Sequence, residues 1–407
     1  MRVSKRAVSI KPSPTLAIDT RAKSLIAEGV DIINFGVGEP DFDTPENIKE
    51  AAIKALRAGF TKYTPVGGID ELKTAIIEKF KRDNSIAYEK SEIIVSCGAK
   101  HSLYNIAGAL FDHGDKVIIP APYWVSYPEQ VLLCNATPII VKTDEKTSFK
   151  ITPELLKANL SKKTKALILN SPSNPTGAAY DRKTLEEIAD IAITYDLYVI
   201  SDEIYEKLTY DGFRHISIAS LGDEIKQRTI VVNGLSKSYA MTGWRIGFAG
   251  GPKEIISAMH NIQSQSTSNP TSIAQWAAVE ALTGPQDFVH QMVSEFDRRR
   301  IYMVERLQKI KGITCLRPMG AFYIFPNVSY YYGKKISGKP INGSTSQRCS
   351  INSSLDLSSY LLEEAKVAVV PGKVFGDDKY IRLSYAVSMK DIERGLQRIE
   401  DALTNLR

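Results

Sequence analysis

At 407 residues the chain exceeds one ordinary domain and suits two or three with a sizeable core, and its 43% hydrophobic and 24% charged residues exclude a disordered or fibrous class. The net charge of +6 would suit a nucleic acid, but the lysines and arginines are scattered among acids, as in "KSEIIVS" and "KTLEEIAD", which reads as solvated surface. Cys97, Cys134, Cys315 and Cys349 lie far apart with no C-x-x-C pair, no apolar run is long enough to span a membrane, and the basic start carries no secretory signal, so a cytoplasmic protein with reduced thiols is expected.

The first clear element is "DTPENIKEAAIKALRAG", a helix with Thr44 as predicted N-cap, Pro45 in its first turn and Gly59 as its stop. Short β-branched runs follow in alternation with helical patterns: "EIIVS", "KVIIP", "PIIVK", "KALILN", "LYVIS", "TIVVNG" and "RIGFAG". They read as buried strands of a largely parallel sheet, with amphipathic helices such as "DRKTLEEIADIAITY" on its faces. After about residue 285 the rhythm changes to a long charged helix, the runs "AFYIFP", "VAVVPG" and "YIRLSYA", and a last helix. The expected division is a large domain over 45–285 and a smaller α/β domain built from 1–44 and 286–407, with a Gly-, Ser- and Lys-rich surface insertion over about 330–354.

In sheets of this kind ligands collect beyond the carboxyl ends of the strands. "LYVIS" ends in Asp202 with Tyr205 just beyond, and "KALILN" runs into "SPSNPTG" with Asn174. "EIIVS" leads through "CGAK", with Gly98, Ala99 and Lys100, into a helix whose N-terminus suits a phosphate. "TIVVNG" leads into "SKSYAMTGWRIG", with Lys237 and Arg245. Taken singly, the turn, the carboxylate and the lysine each have a plain structural reading as turn, helix cap and solvated side chain. Their combination at successive strand ends is hard to obtain from structure alone.

Together with "GEPDFDTP", "TKYTPVGG", "PYWVSYPE", "NSPSNPTGA", "SDEIYEKL", "SQSTSNPTSIAQWA" and "IRLSY", taken in order, these residues give a chain that resembles the class I family of pyridoxal-phosphate-dependent aminotransferases of fold type I, in its bacterial aspartate aminotransferase branch. The resemblance runs from about "KPSPTLAID" to "IRLSYAVS". It implies an α/β fold with a mostly parallel seven-stranded sheet and a smaller α/β domain, a homodimer with shared sites, and pyridoxal 5'-phosphate as cofactor.

By that resemblance Lys237 is the Schiff-base lysine, whose amine needs a depressed pKa to leave the cofactor and act as a base. Arg245 pairs with the phosphate, which its planar fork suits. Asp202 holds the pyridine nitrogen protonated, Tyr205 and Asn174 bond the phenolic oxygen, and Trp124 stacks on the ring. Gly98, Ala99 and Lys100 open the phosphate-side helix, while Tyr63 reaches the phosphate of the neighbouring subunit. Arg382 clamps the substrate α-carboxylate with Asn174, Trp124 and the backbone at Gly38. One departure stands out: the serine that many relatives carry three residues before the lysine is here Gly234.

The implied reaction is ping-pong exchange of an amino group between small amino and keto acids, aspartate or glutamate foremost. Where animal-type enzymes use a partner arginine for the distal carboxylate, this chain has Ser264, so Lys100 is the candidate cation, a phosphate or solvent contact being its plain alternative. Lys11, Thr15 and Lys100 match residues associated in this branch with amination of prephenate to arogenate, Lys11 reading equally well as a solvated lysine before a Pro-rich turn. Aromatic or branched-chain aminotransferases and carbon–sulfur lyases share the scaffold. A cofactor-binding transcriptional regulator is the non-enzyme alternative, disfavoured because the resemblance starts by about residue 11 and leaves no room for a DNA-binding domain ahead of it.

Overall fold

A two-residue strand, β1 (Ile33–Asn34), precedes seven longer ones: β2 (Ile93–Ser96), β3 (Lys116–Ala121), β4 (Thr137–Lys142), β5 (Thr164–Asn170), β6 (Tyr198–Asp202), β7 (Thr229–Gly234) and β8 (Gly247–Gly250). The computed structural model describes residues 3–4, 7–8, 10, 14–336 and 350–407, with the side chains of 14–17 and 19 outside that description. The seven strands form one sheet in the order β2-β8-β7-β6-β5-β3-β4, and each corresponds to one of the β-branched runs. β8 alone runs antiparallel to both neighbours, β2 and β7. Every residue of β2, β7 and β8 is buried, as continuous apolar runs covered by helices on both faces require.

β8 starts two residues later than the run "RIGFAG" suggests, because Arg245 adopts a left-handed φ of 57° that turns the chain before the strand begins. Gly247 then allows a close approach: a Cβ there would lie 2.1 Å from the amide nitrogen of Ala99, so only glycine lets the helix Ala99–Leu110 start against β8. The expected N-cap at Thr44 is not formed. The helix Glu46–Arg57 has Pro45 at its cap position, and Thr44 Oγ1 instead donates to Ala240 O at 2.7 Å and accepts from Trp244 Nε1 at 3.0 Å. That hydroxyl ties the segment to the Lys237–Arg245 loop. Gly59, with φ +82°, ends the helical turn as expected.

Four further short strands complete the chain: β9 (Tyr323–Ile324), β10 (Val367–Ala368), β11 (Val370–Pro371) and β12 (Ile381–Ser384). β10 pairs with β1 in parallel, and β11, β12 and β9 form an antiparallel trio. The helices Asp287–Lys309 and Met389–Thr404 pack on them around a core in which Ile33 and Phe35 of the N-terminal segment meet Met303, Val367, Leu383 and Leu396. The flanks of the expected insertion are built into this region: Ile336 bridges Leu406, and Ile351 is fully buried. Residues 337–349 lie outside the described residues. Among the described residues no helix is long and apolar enough to cross a membrane, and Cys97, Cys134 and Cys315 are thiols.

Candidate active site

The carboxyl ends of β2, β5, β6 and β7 and the amino end of β8 open on one side of the sheet, where β12 and the Gly38 segment close a cavity of ≈ 470 Å³. Of the residues singled out in the sequence, Gly38, Ala99, Lys100, Trp124, Asn174, Asp202, Tyr205, Lys237, Arg245 and Arg382 line it, and Gly98 sits directly behind Arg245. Among the described residues, Lys23, Lys100, Lys237, Arg245 and Arg382 face two lining carboxylates, Glu39 and Asp202, so the cavity favours anions.

Lys237 stands on the loop after β7 and donates from Nζ to the carbonyl oxygen of Gly38. Burial, with help from the positive charges of Arg382 and Arg245, lowers its pKa to about 8, while Glu39 opposes the shift. Asp202 closes β6 and accepts from the Tyr127 hydroxyl at 2.7 Å. Burial raises this carboxyl to about 6 against the restraining hydrogen bonds of Tyr127 and the Ile204 amide. A cationic N–H donor placed against it would stabilise the carboxylate. Trp124 lies edge to face with Tyr127, at 5.3 Å between centroids, and Lys100 Nζ sits 4.9 Å from the Trp124 ring.

Arg245 and Gly98 form one unit. The guanidinium donates to Thr242 O at 2.8 Å and to Cys97 O at 3.3 Å, and a Cβ on Gly98 would fall 2.2 Å from Nη2. A side chain at Gly98, whose φ is +88°, would therefore displace the arginine from the N-terminus of the Ala99–Leu110 helix. An arginine fork against free amides at a helix start is a cradle for a phosphate. At Gly234 a Cβ would stand 3.1 Å from Gly247 Cα and from Ile246 O, so a serine would fit there only with a shift of β8. Ser236 lines the cavity instead.

At the opposite wall Arg382, on β12, is 3% exposed and donates to Asn174 Oδ1 at 3.0 Å and to Gly36 O at 2.8 Å. Its Nε is buried without a partner, a donor left open for a bound acceptor. Asn174 is held in turn by Asn170, whose Oδ1 accepts the Asn174 amide at 2.8 Å. Tyr205 shares a hydrogen bond of 2.9 Å with Tyr323, over whose ring the Arg382 guanidinium lies at 4.3 Å.

Three expected residues are not among those placed at the cavity. Tyr63 is 92% exposed and does not line the cavity. Thr15 is described only through the backbone of the helix Pro14–Ala27, and Lys11 lies outside the described residues. Ser264 donates to Asn261 O within its own helix. Conversely, the sequence reading passes over Tyr127, Tyr323, Asn170 and Glu39. The three-residue spacing of Trp124 and Tyr127 in "PYWVSYPE" is the one signal that could have pointed to the first.

Behind the sheet, Glu203, Glu206 and His215 cluster closely enough to suggest a metal site. The carboxylates are already engaged: Glu203 accepts from Ser201, Ser217 and His215, and Glu206 from Lys79 and Asn84, while His215 Nδ1 is buried without a partner. A lysine ammonium bonded to Glu206 supplies the positive charge that a metal would bring.

Fold and cavity together define an α/β protein whose cavity sets a lysine and a buried carboxylate beside two arginines suited to anions. The chain belongs to the aminotransferase class I and II family, whose model matches residues 30–399. It is 50% identical over 399 residues to the aspartate aminotransferase of Geobacillus stearothermophilus, covering 98% of both chains. It is 51% identical over 402 residues to the "probable aspartate/prephenate aminotransferase" of Rickettsia felis, covering 98% of this chain and 96% of that one. Among solved structures, the aspartate aminotransferase from Rhizobium meliloti superposes with a TM-score of 0.93 at 44% identity over 100% of both chains. The Thermus thermophilus aspartate aminotransferase with maleate gives 0.91 at 42% identity over 99% of this chain and 100% of that one.

Proposed function

We propose that the protein is a pyridoxal-phosphate-dependent aspartate aminotransferase that acts as a homodimer. The observation that carries this is the Lys237 amine, with its pKa lowered to about 8, in one cavity with a phosphate cradle, a buried carboxylate and Arg382. The residues fit the cofactor. Arg245 with the helix start at Gly98, Ala99 and Lys100 would hold its phosphate, Asp202 its ring nitrogen, Asn174 and Tyr205 its phenolic oxygen, Trp124 its ring face and Lys237 its aldehyde carbon. When bound, the cofactor supplies an electron sink for a carbanion at the substrate α-carbon.

The chain's own groups do the rest. Arg382, with its open Nε and with Asn174 beside it, seats the α-carboxylate and so fixes the α-carbon. Lys237, titrating close to neutrality, takes the α-proton and returns it. Lys100, exposed at the cavity beside Trp124, faces the distal carboxylate of aspartate or glutamate. Exposed Tyr63 is the residue a partner subunit would receive at its phosphate site. We further read 45–285 as the large domain and 1–44 with 286–407 as the small one, supported by the pairing of β1 with β10.

The test is amino transfer from aspartate to 2-oxoglutarate by cofactor-loaded protein, with oxaloacetate and glutamate as products in equal amounts. Failure to form glutamate from aspartate, with exchange seen only for aromatic or branched-chain donors, would refute the assignment. The name carried by the Rickettsia felis relative favours a second activity, amination of prephenate to arogenate. Arogenate formation from prephenate and glutamate, weakened more by Lys11→Ala than the aspartate reaction is, would support it. Purified, loaded enzyme that leaves prephenate untouched would refute it.

A further inference from the structure

We propose that Tyr323 is a positioning residue that acts through Tyr205: its hydroxyl donates to the Tyr205 hydroxyl, and its ring braces the Arg382 guanidinium. Both phenols are buried, at 3% and 1% exposure, and their oxygens are 2.9 Å apart. A phenol has a single proton to donate. On the reading above, on which this inference rests, Tyr205 donates that proton to the phenolic oxygen of the cofactor. Tyr205 must then be the acceptor in its bond with Tyr323, and Tyr323 the donor. Serial hydrogen bonds polarise one another, so the bond from Tyr323 makes Tyr205 a stronger donor.

The same ring reaches the carboxylate end of the cavity. The Arg382 guanidinium lies 4.3 Å from the centroid of Tyr323 and 5.2 Å from that of Phe375, and each of its terminal nitrogens donates one of its two N–H groups, to Asn174 and to Gly36. Tyr323 opens β9, which pairs with β12, so the strand pairing itself fixes the ring beside the arginine. One rigid side chain thus sets the geometry of both the cofactor-side phenol and the substrate-side arginine.

The two roles separate by substitution. Tyr323→Phe removes the hydroxyl and keeps the ring; Tyr323→Ala removes both. The readouts are the pH midpoint of the bound cofactor's visible absorbance and the Kd of a non-reacting dicarboxylate such as maleate. A weaker donor to the phenolic oxygen leaves more negative charge there, which retains the proton on the neighbouring nitrogen. Tyr323→Phe should therefore raise the midpoint by about 0.5–1 pH unit, the equivalent of one hydrogen bond, with the maleate Kd within about twofold. Tyr323→Ala should raise the midpoint and also weaken maleate roughly 10-fold. In a Tyr205→Phe background, Tyr323→Phe should add no further shift to the midpoint.

An unchanged midpoint in Tyr323→Phe, or full additivity with Tyr205→Phe, overturns the relay. If Tyr205→Phe itself leaves the midpoint unmoved, what fails is the placement of Tyr205 at the cofactor, a distinct result.

Discussion

β6 ends at Asp202 and is followed at once by Glu203, and these adjacent carboxylates meet opposite surroundings. Glu203, facing away from the cavity with Ser201, is fully buried and fully paired: it accepts from Ser201 at 2.8 Å, Ser217 at 2.7 Å and His215 at 2.9 Å. Beyond it Glu206 bonds Lys79, and Asp83 pairs with Lys207 at 2.8 Å. Burial opposes the charged form of Glu206, yet Lys79, His215 and Asn84 hold its pKa below the ordinary value. Asp202 has one strong side-chain donor, Tyr127, and its pKa is raised to about 6. The contrast separates structure from chemistry on one strand. Where its charge is matched, Glu206 is held below the ordinary carboxylate range; where matching is left incomplete, Lys237 and Asp202 are shifted toward neutrality and await a ligand.

The largest effect should come from the incomplete side. Lys237→Ala should cut transamination on the order of 10⁴-fold or more while the protein remains folded; wild-type turnover in this variant would show that another amine carries the reaction. On the matched side the loss should be of stability. Lys79→Met leaves Glu206 buried without its cation, at a cost of about 3–5 kcal/mol in unfolding free energy, read by denaturant titration, with turnover per folded molecule close to wild type. A fall in turnover with stability intact would break the comparison.

A smaller effect tests the distal end of the cavity. Lys100→Ser should lower kcat/KM for aspartate roughly 10-fold more than for a neutral amino acid, the scale of one partly desolvated charge pair. Equal losses would remove Lys100 from substrate recognition. A further effect is in pH. In cofactor-free protein the folded pKa of Lys237 lies below its unfolded value, so the unfolded chain binds one more proton between about pH 8 and the ordinary lysine range. Stability should therefore rise across that window as the pH increases. Asp202, raised to about 6, acts in the opposite sense: its contribution is lost as pH climbs from the ordinary carboxylate range to 6. Across that alkaline window wild type should gain stability relative to Lys237→Met as the pH rises, read from melting curves of the two proteins.

All seven strands of the large sheet were legible in the sequence: the inner ones, buried on both faces, write themselves as continuous apolar runs, and the edge strand β4, with only Val141 buried, keeps the same β-branched content. The strands β9 to β12 were legible only as longer apolar runs, since each of those runs supplies both a short strand and core residues outside it. The Thr44 cap was misread because a tertiary contact captures the hydroxyl: Ala240 and Trp244 are about 200 residues away, beyond any local signal. Lys237, Arg245 and Asp202 stood out as polar groups at strand ends, while Arg382 came from the resemblance carried by "IRLSY". Tyr127 and Tyr323 did not stand out, since an aromatic in an apolar stretch looks like core, and each is core by its ring and site by its hydroxyl.

The central claim is that Lys237 is the amine that binds the cofactor, and it can be read chemically without any assay of turnover. Loaded protein is reduced with borohydride, digested, and the peptides are mapped by mass spectrometry. The expected result is a single pyridoxyl group on the peptide that contains Lys237. A pyridoxyl group on Lys100 or Lys23, the other lysines of the cavity, or on no lysine at all, would contradict it.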